Sequence, residues 1–240
     1  MKESRYFYVP DAAHTTEMPL EQALHALRVL RLRSGDELFL MDGEGVFYRA
    51  EVTLAATKRC LYEIKEVLPQ QKAWKGHIHL AIAPTKDMGR IEWMTEKATE
   101  AGIDELSFLR CKFSERKAMR TVRLEKIAIS AMKQSRKPWK PVINPQNYLK
   151  DFLSQPREGQ KFICHCYDEI PRKDFYNELI QSPTVEDITV MVGPEGDFSQ
   201  DEVRLAMEKG YESVSLGSAR LRTETAGLFA VMIAQLARRK

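Results

Sequence analysis

Five short, nearly unbroken apolar runs constrain this chain more than any other feature: residues 78–83, 106–109, 162–166, 188–192 and 213–216. Stretches with helical periodicity lie between them. One carries Ile91, Met94, Thr95, Ala98 and Ala101 and stops at Gly102, a residue suited to the left-handed turn that ends a helix. A strand apolar at every position is buried on both faces, and strands that alternate with helices pair in parallel. The predicted class is therefore α/β, with a parallel sheet covered on both sides. Ser199, with Glu202 three residues later, has the form of a capping box that opens a further helix.

The first 72 residues read differently. Residues 5–9, 39–41, 46–48 and 60–67 have strand character, and Asp42-Gly43-Glu44-Gly45 offers the positive φ a tight hairpin needs. Residues 19–32 predict one short helix with Leu20, Leu24, Leu27 and Leu30 on its apolar side. Short strands with a single helix suggest a small β-barrel over 1–72, a polar linker near 69–76, and an α/β domain over 73–240.

No run approaches the roughly 18 apolar residues of a membrane span, and residues 1–14 lack the apolar segment of a signal peptide, so a soluble cytoplasmic protein is expected. The four cysteines form no C-x-x-C pair. Cys164 and Cys166 sit in an apolar run, where a strand would turn His165 to the opposite face; small buried thiols are expected there. His77 and His79 share a face without a third ligand, so no metal is expected.

The net charge of +3 hides a concentration. Residues 110–140 hold eleven basic side chains opposed only by Glu115 and Glu125, while the remainder carries 26 basic and 32 acidic residues. Such a segment is the footprint of a phosphate-backbone contact, with Arg116, Arg123, Lys126, Lys133, Arg136 and Lys137 as candidates. Trp139, flanked by prolines, could stack on a base.

Ligands of open α/β sheets bind at the carboxyl ends of strands. Two such ends are distinctive: Gly193-Pro194-Glu195-Gly196-Asp197-Phe198-Ser199, and Leu216-Gly217 running on to Leu221-Arg222-Thr223-Glu224-Thr225-Ala226, where Thr223 or Thr225 could cap a helix. Neither matches a nucleotide P-loop, a dinucleotide fingerprint or a hydrolase nucleophile elbow. Residues 225–240 predict a helix apolar almost all round, whose burial a second subunit would supply.

These paired motifs strongly resemble the ribosomal RNA small subunit methyltransferase E family of SPOUT, or trefoil-knot, methyltransferases. Lys86 to Gly102 and Gln134-Ser135-Arg136 are similar to further family stretches, and the resemblance spans essentially the whole chain. It implies a PUA-like N-terminal barrel, a knotted methyltransferase domain, and a homodimer acting with S-adenosylmethionine on N3 of one uridine of 16S ribosomal RNA, within the 30S subunit or a late precursor. It also implies a donor pocket formed by His165, Cys166, Gly193, Glu195, Gly196, Leu216, Gly217, Leu221 and Thr223. Arg222 and Arg220 would stabilise the developing imide anion; Glu224 or Glu195 would accept the proton, unless Glu224 serves the helix N-terminus instead. Asp197 stands where the family commonly has a second glycine, and Arg220 falls one position later than the family arginine. The rival readings are a non-catalytic RNA-binding protein and a methyltransferase acting on transfer RNA.

Overall fold

The computed structural model describes residues 5–182 and 186–240. The chain divides into two units. The first comprises the chain up to Lys72 together with Ile129–Lys140; the second comprises Ala73–Ala128 and Pro141–Lys240.

In the first unit, β1 (Tyr6–Tyr8) pairs in parallel with β2 (Glu37–Met41), which continues antiparallel into β3 (Val46–Ala55) and β4 (Cys60–Pro69). Backbone bonds between Met18 and Cys60 and between Tyr62 and Thr16 extend the pairing past β4. The β2–β3 hairpin is shaped by Asp42, whose carboxylate accepts from the N–H groups of Glu44 (2.7 Å) and Val46 (3.1 Å) and from the Tyr48 hydroxyl (3.1 Å). Phe7, Leu38, Leu40, Val52 and Tyr62 form the core. The expected helix over 19–32 is α1 (Leu20–Leu24) followed by a wider turn, His25–Val29. Its buried side is Gln22, Ala23 and Ala26, whereas Leu20 is 59% exposed, because two small alanines let the backbone lie close to the sheet. Trp139, read as able to stack on a base, packs its ring against Gly45 of the hairpin, and its backbone bridges Gly43 and Glu44.

The second unit holds a seven-stranded, wholly parallel sheet. Its strands are β5 (Ile78–Ile82), β6 (Glu105–Arg110), β7 (Val142–Tyr148), β8 (Gln160–Cys164), β9 (Lys173–Asp174), β10 (Ile188–Val192) and β11 (Glu212–Ser215), in the order β7-β6-β5-β10-β8-β11-β9. Ile78, Leu80 and Ile82 of β5 face α2 (Met88–Ala101), α5 (Phe175–Gln181) and α7 (Thr223–Arg238) in one core. Ala81 and Ala83 turn to the other, with Phe152 of α4 (Leu149–Ser154) and Val203 of α6 (Gln200–Glu208). This two-sided burial is why the strands read as unbroken apolar runs. One further helix, α3 (Val122–Ser135), divides its residues between the two units. Of the residues expected as a linker, Pro69 ends β4 and Trp74 is buried in the second unit with its indole N–H on Asp104 (2.9 Å).

Candidate active site

Because β8, β10 and β11 are adjacent and parallel, the loops leaving their carboxyl ends meet at one edge of the sheet. There they enclose a cavity of about 480 Å³, joined by the first residues of α7 and by Arg90 of α2. An adjoining cavity shares Cys166, Arg172, Gly196, Asp197, Gly217 and Arg220 with it.

The loop after β10 is built by turn chemistry. A bond from Asp197 N–H to Pro194 O (2.9 Å) closes the Gly-Pro-Glu-Gly turn. A Cβ on Gly193 would lie 3.0 Å from the Phe198 nitrogen, a tight fit that any side chain here would have to push apart. The capping box is formed: Ser199 Oγ accepts from Glu202 N–H, and Glu202 Oε2 accepts from Ser199 N–H at 2.8 Å. Glu195 is fastened by Oε1 to the Lys86 N–H (2.9 Å), which ties this loop to the one preceding α2.

His165 follows β8 and is buried. The Tyr167 N–H donates to its Nδ1 (3.2 Å), which places the ring proton on Nε2, 2.6 Å from Ser213 Oγ. Burial pushes the imidazole pKa down, so the ring is a neutral brace between the ends of β8 and β11. The ring is thus committed internally. Arg172 secures the same turn by donating to His165 O (2.9 Å) and Asp168 (2.8 Å). The expectation of two buried thiols fails at Cys166: β8 ends at Cys164, which is buried, and Cys166 is exposed on the cavity wall. Burial raises the Cys164 pKa to about 12; burial and then the Asp197 carboxylate raise that of Cys166.

After β11, Gly217 adopts φ +119°, and a Cβ there would meet nothing within 4 Å. Neither threonine caps α7. Arg222 is the N-cap, with no side-chain bond, and Thr223 is buried as the first helical residue. Glu224 is buried in the first turn, where the helix dipole favours a negative charge. Its Oε2 has no hydrogen-bond partner, and its Oε1 is 3.8 Å from Arg90. Arg220 and Arg222 are exposed at the rim.

All twelve residues proposed for donor binding and chemistry therefore line one cavity: His165, Cys166, Gly193, Glu195, Gly196, Leu216, Gly217, Arg220, Leu221, Arg222, Thr223 and Glu224. Arg90, Arg172 and Asp197 line it too and were not anticipated. The bare Gly217 wall and the orphaned Glu224 oxygen are features that a polar ligand would complete. The six basic candidates fare unevenly. Arg123, Lys126 and Arg136 are exposed, Arg123 in an ion pair with Glu92 (2.5 Å). Arg116 instead donates to the carbonyls of Thr85 and Lys86. Lys133 and Lys137 are half-buried in the first unit, and burial lowers both ammonium pKa values. Among the described residues no three His, Cys, Asp or Glu side chains converge on a metal site, and no helix is long and apolar enough to cross a membrane.

Comparison with known proteins gives this cavity its context. An RNA methyltransferase domain model matches residues 72–235, and an RNA methyltransferase PUA domain model matches residues 21–65. Ribosomal RNA small subunit methyltransferase E of Aquifex aeolicus is 32% identical over 86% of this chain and 88% of its own. A "probable rRNA-methyltransferase" of Porphyromonas gingivalis is 39% identical and superposes with a TM-score of 0.87 over 98% of both chains. A ribosomal RNA small subunit methyltransferase E from Neisseria gonorrhoeae, solved bound to S-adenosyl methionine, is 28% identical with a TM-score of 0.85 over 98% of both chains. The chain belongs to the ribosomal RNA small subunit methyltransferase E family of RNA methyltransferases, with a PUA-like domain ahead of a parallel-sheet methyltransferase domain.

Proposed function

We propose that this chain methylates N3 of one uridine in 16S ribosomal RNA, using S-adenosylmethionine as donor and acting in the cytoplasm on the small subunit or a late precursor. The observation that carries the reading is the cavity at the β8, β10 and β11 ends, where a buried carboxylate, Glu224, keeps one oxygen unpartnered. S-adenosylmethionine supplies an electrophilic methyl group. The chain's own residues do the rest. Main-chain groups around Gly193, Gly196, Leu216, Gly217 and Leu221 hold the donor. Uracil N3 is a poor nucleophile until its proton leaves, and Glu224 accepts that proton. Arg222 and Arg220, at the rim of the same cavity, offset the imide charge that develops. Glu195 acts as a loop fastener rather than as the base, since its Oε1 already holds Lys86.

In this reading residues 1–72 form the RNA-binding domain and residues 73–240 the knotted methyltransferase domain, with Arg123, Lys126 and Arg136 as the exposed basic contacts. The working unit is a homodimer. Phe229, Met232 and Leu236 make an exposed apolar stripe on α7, and Trp93 is exposed on the helix packed beside it. A second copy would cover this stripe, and M232E should shift the sedimentation coefficient to that of a monomer.

The reaction is tested by transfer of labelled methyl from S-adenosylmethionine to under-methylated small ribosomal subunits, with nucleoside analysis of the product. Label in N3-methyluridine is the expected result. Donor binding without label in the subunit would move the substrate to transfer RNA, and no donor binding would leave a non-catalytic RNA-binding protein.

A further inference from the structure

The geometry points to Asp197 as a positioning residue that sets the width of the donor cavity, by bolting the turn after β8 to the loop after β10. This inference rests on the proposed donor site. Asp197 is, among the described residues of the second unit, the one non-glycine at positive φ, +65°. A side chain held in that conformation is unfavourable unless its surroundings require it.

What holds it there is the carboxylate. Oδ1 accepts from the Phe198 N–H at 2.7 Å, and Oδ2 accepts from the Cys166 N–H at 2.8 Å. Cys166 lies two residues past the end of β8, and no sheet bond takes its N–H. The Tyr167 hydroxyl donates to Phe198 O (2.6 Å) beside it, so two stitches join loops that are 31 residues apart in sequence. Other roles are already filled. Ser199 caps α6, and both Asp197 oxygens are occupied by main-chain donors, which leaves the carboxylate unsuited to proton abstraction. Asp197 also lines both adjoining cavities, so it stands on the wall between them. Hydrogen bonds to a charged acceptor are among the strong ones, and losing this one frees the Cys166 turn to move outward.

The test compares D197G and D197N with the wild type by calorimetric titration with S-adenosylmethionine, steady-state methyl transfer and thermal unfolding. Glycine accepts the +65° φ without strain, so D197G removes the two carboxylate bonds without straining the backbone. The expected result is a donor Kd raised about tenfold in D197G, the size of one lost charge-assisted bond. The loss should fall on KM for the donor more than on kcat, with the unfolding temperature lowered by no more than a few degrees. D197N, which tolerates the same φ and keeps one acceptor oxygen, should lie between D197G and the wild type. A D197G protein that binds donor as the wild type does overturns the inference, and so does one whose loss of binding follows a large loss of thermal stability. Absence of donor binding by the wild type itself would instead bring down the functional reading on which the inference depends.

Discussion

Gly45 and Gly217 share a backbone conformation and do opposite things with it. Gly45 leads into β3 and Gly217 leaves β11, at φ +111° and +119°. A Cβ on Gly45 would lie 2.8 Å from the Trp139 ring nitrogen, whereas one on Gly217 would meet nothing within 4 Å. The aspartates of the two turns differ in the same sense. Asp42 bonds only partners within six residues and closes its own hairpin, while Asp197 reaches across 31 residues to another loop and leaves space between them. One glycine turn is filled by the protein and serves folding. The other is held open and serves a ligand.

The largest expected effect is on the open side. E224Q should lower methyl transfer by about 10²- to 10⁴-fold, the usual contribution of a proton acceptor. Its donor Kd should stay within about twofold, and its unfolding temperature should change by only a few degrees, since the amide keeps the carboxylate's shape while giving up the charge that faces Arg90 and the helix terminus. A rate near that of the wild type would assign Glu224 to the helix terminus alone.

Next in size is a pH effect that touches the second unit. Burial holds the His79 imidazole at about 4, against an ordinary value of 6.5, with its Nε2 2.8 Å from Ser107 Oγ. The unfolded chain therefore takes up this proton first. The stability it supplies is complete above pH 6.5 and is lost as pH falls towards 4, by up to ~3 kcal/mol. Glu105 acts in the same direction at lower pH, because the His77 hydrogen bond, against the opposing effect of burial, holds its carboxyl at about 2. Hydrogen exchange between pH 6.5 and 4 should show β5 and β6 losing protection before β2 and β3, and H79Q should flatten the slope.

The glycine pair can then be set against itself. G45A adds a clash with Trp139 to the strain of positive φ and should cost about 2–3 kcal/mol in denaturant unfolding, with donor affinity unchanged. G217A carries the strain alone, about 1 kcal/mol, and should instead weaken donor binding several-fold because its methyl enters the cavity. Equal effects of the two substitutions on donor affinity would erase the distinction.

Much of this was legible in the sequence because the parallel sheet and its turns obey local rules. Apolar runs announced β5, β6, β8, β10 and β11, and the Gly-bearing ends of the last two lie beside β8, so twelve named residues could be placed around one cavity. What escaped depends on pairing at a distance. β7, with Pro145 and a mostly polar sequence, is an edge strand without an apolar signature. Arg90 reaches the cavity from α2, and Arg172 owes its place to a carbonyl seven residues away. The basic segment looked uniform, yet Arg116, Lys133 and Lys137 spend their charge on internal contacts or partial burial that charge counting does not reveal.

Cys166 carries a consequence of its own. A protein that handles an electrophilic methyl group must avoid alkylating itself, and here an exposed sulfur lines the cavity proposed for that group. Sulfur attacks carbon as the thiolate. Partial burial and the neighbouring Asp197 carboxylate both hold Cys166 in its protonated form at neutral pH. The aspartate that ties the two loops together thus also favours the protonated, less nucleophilic form of a thiol on the cavity wall.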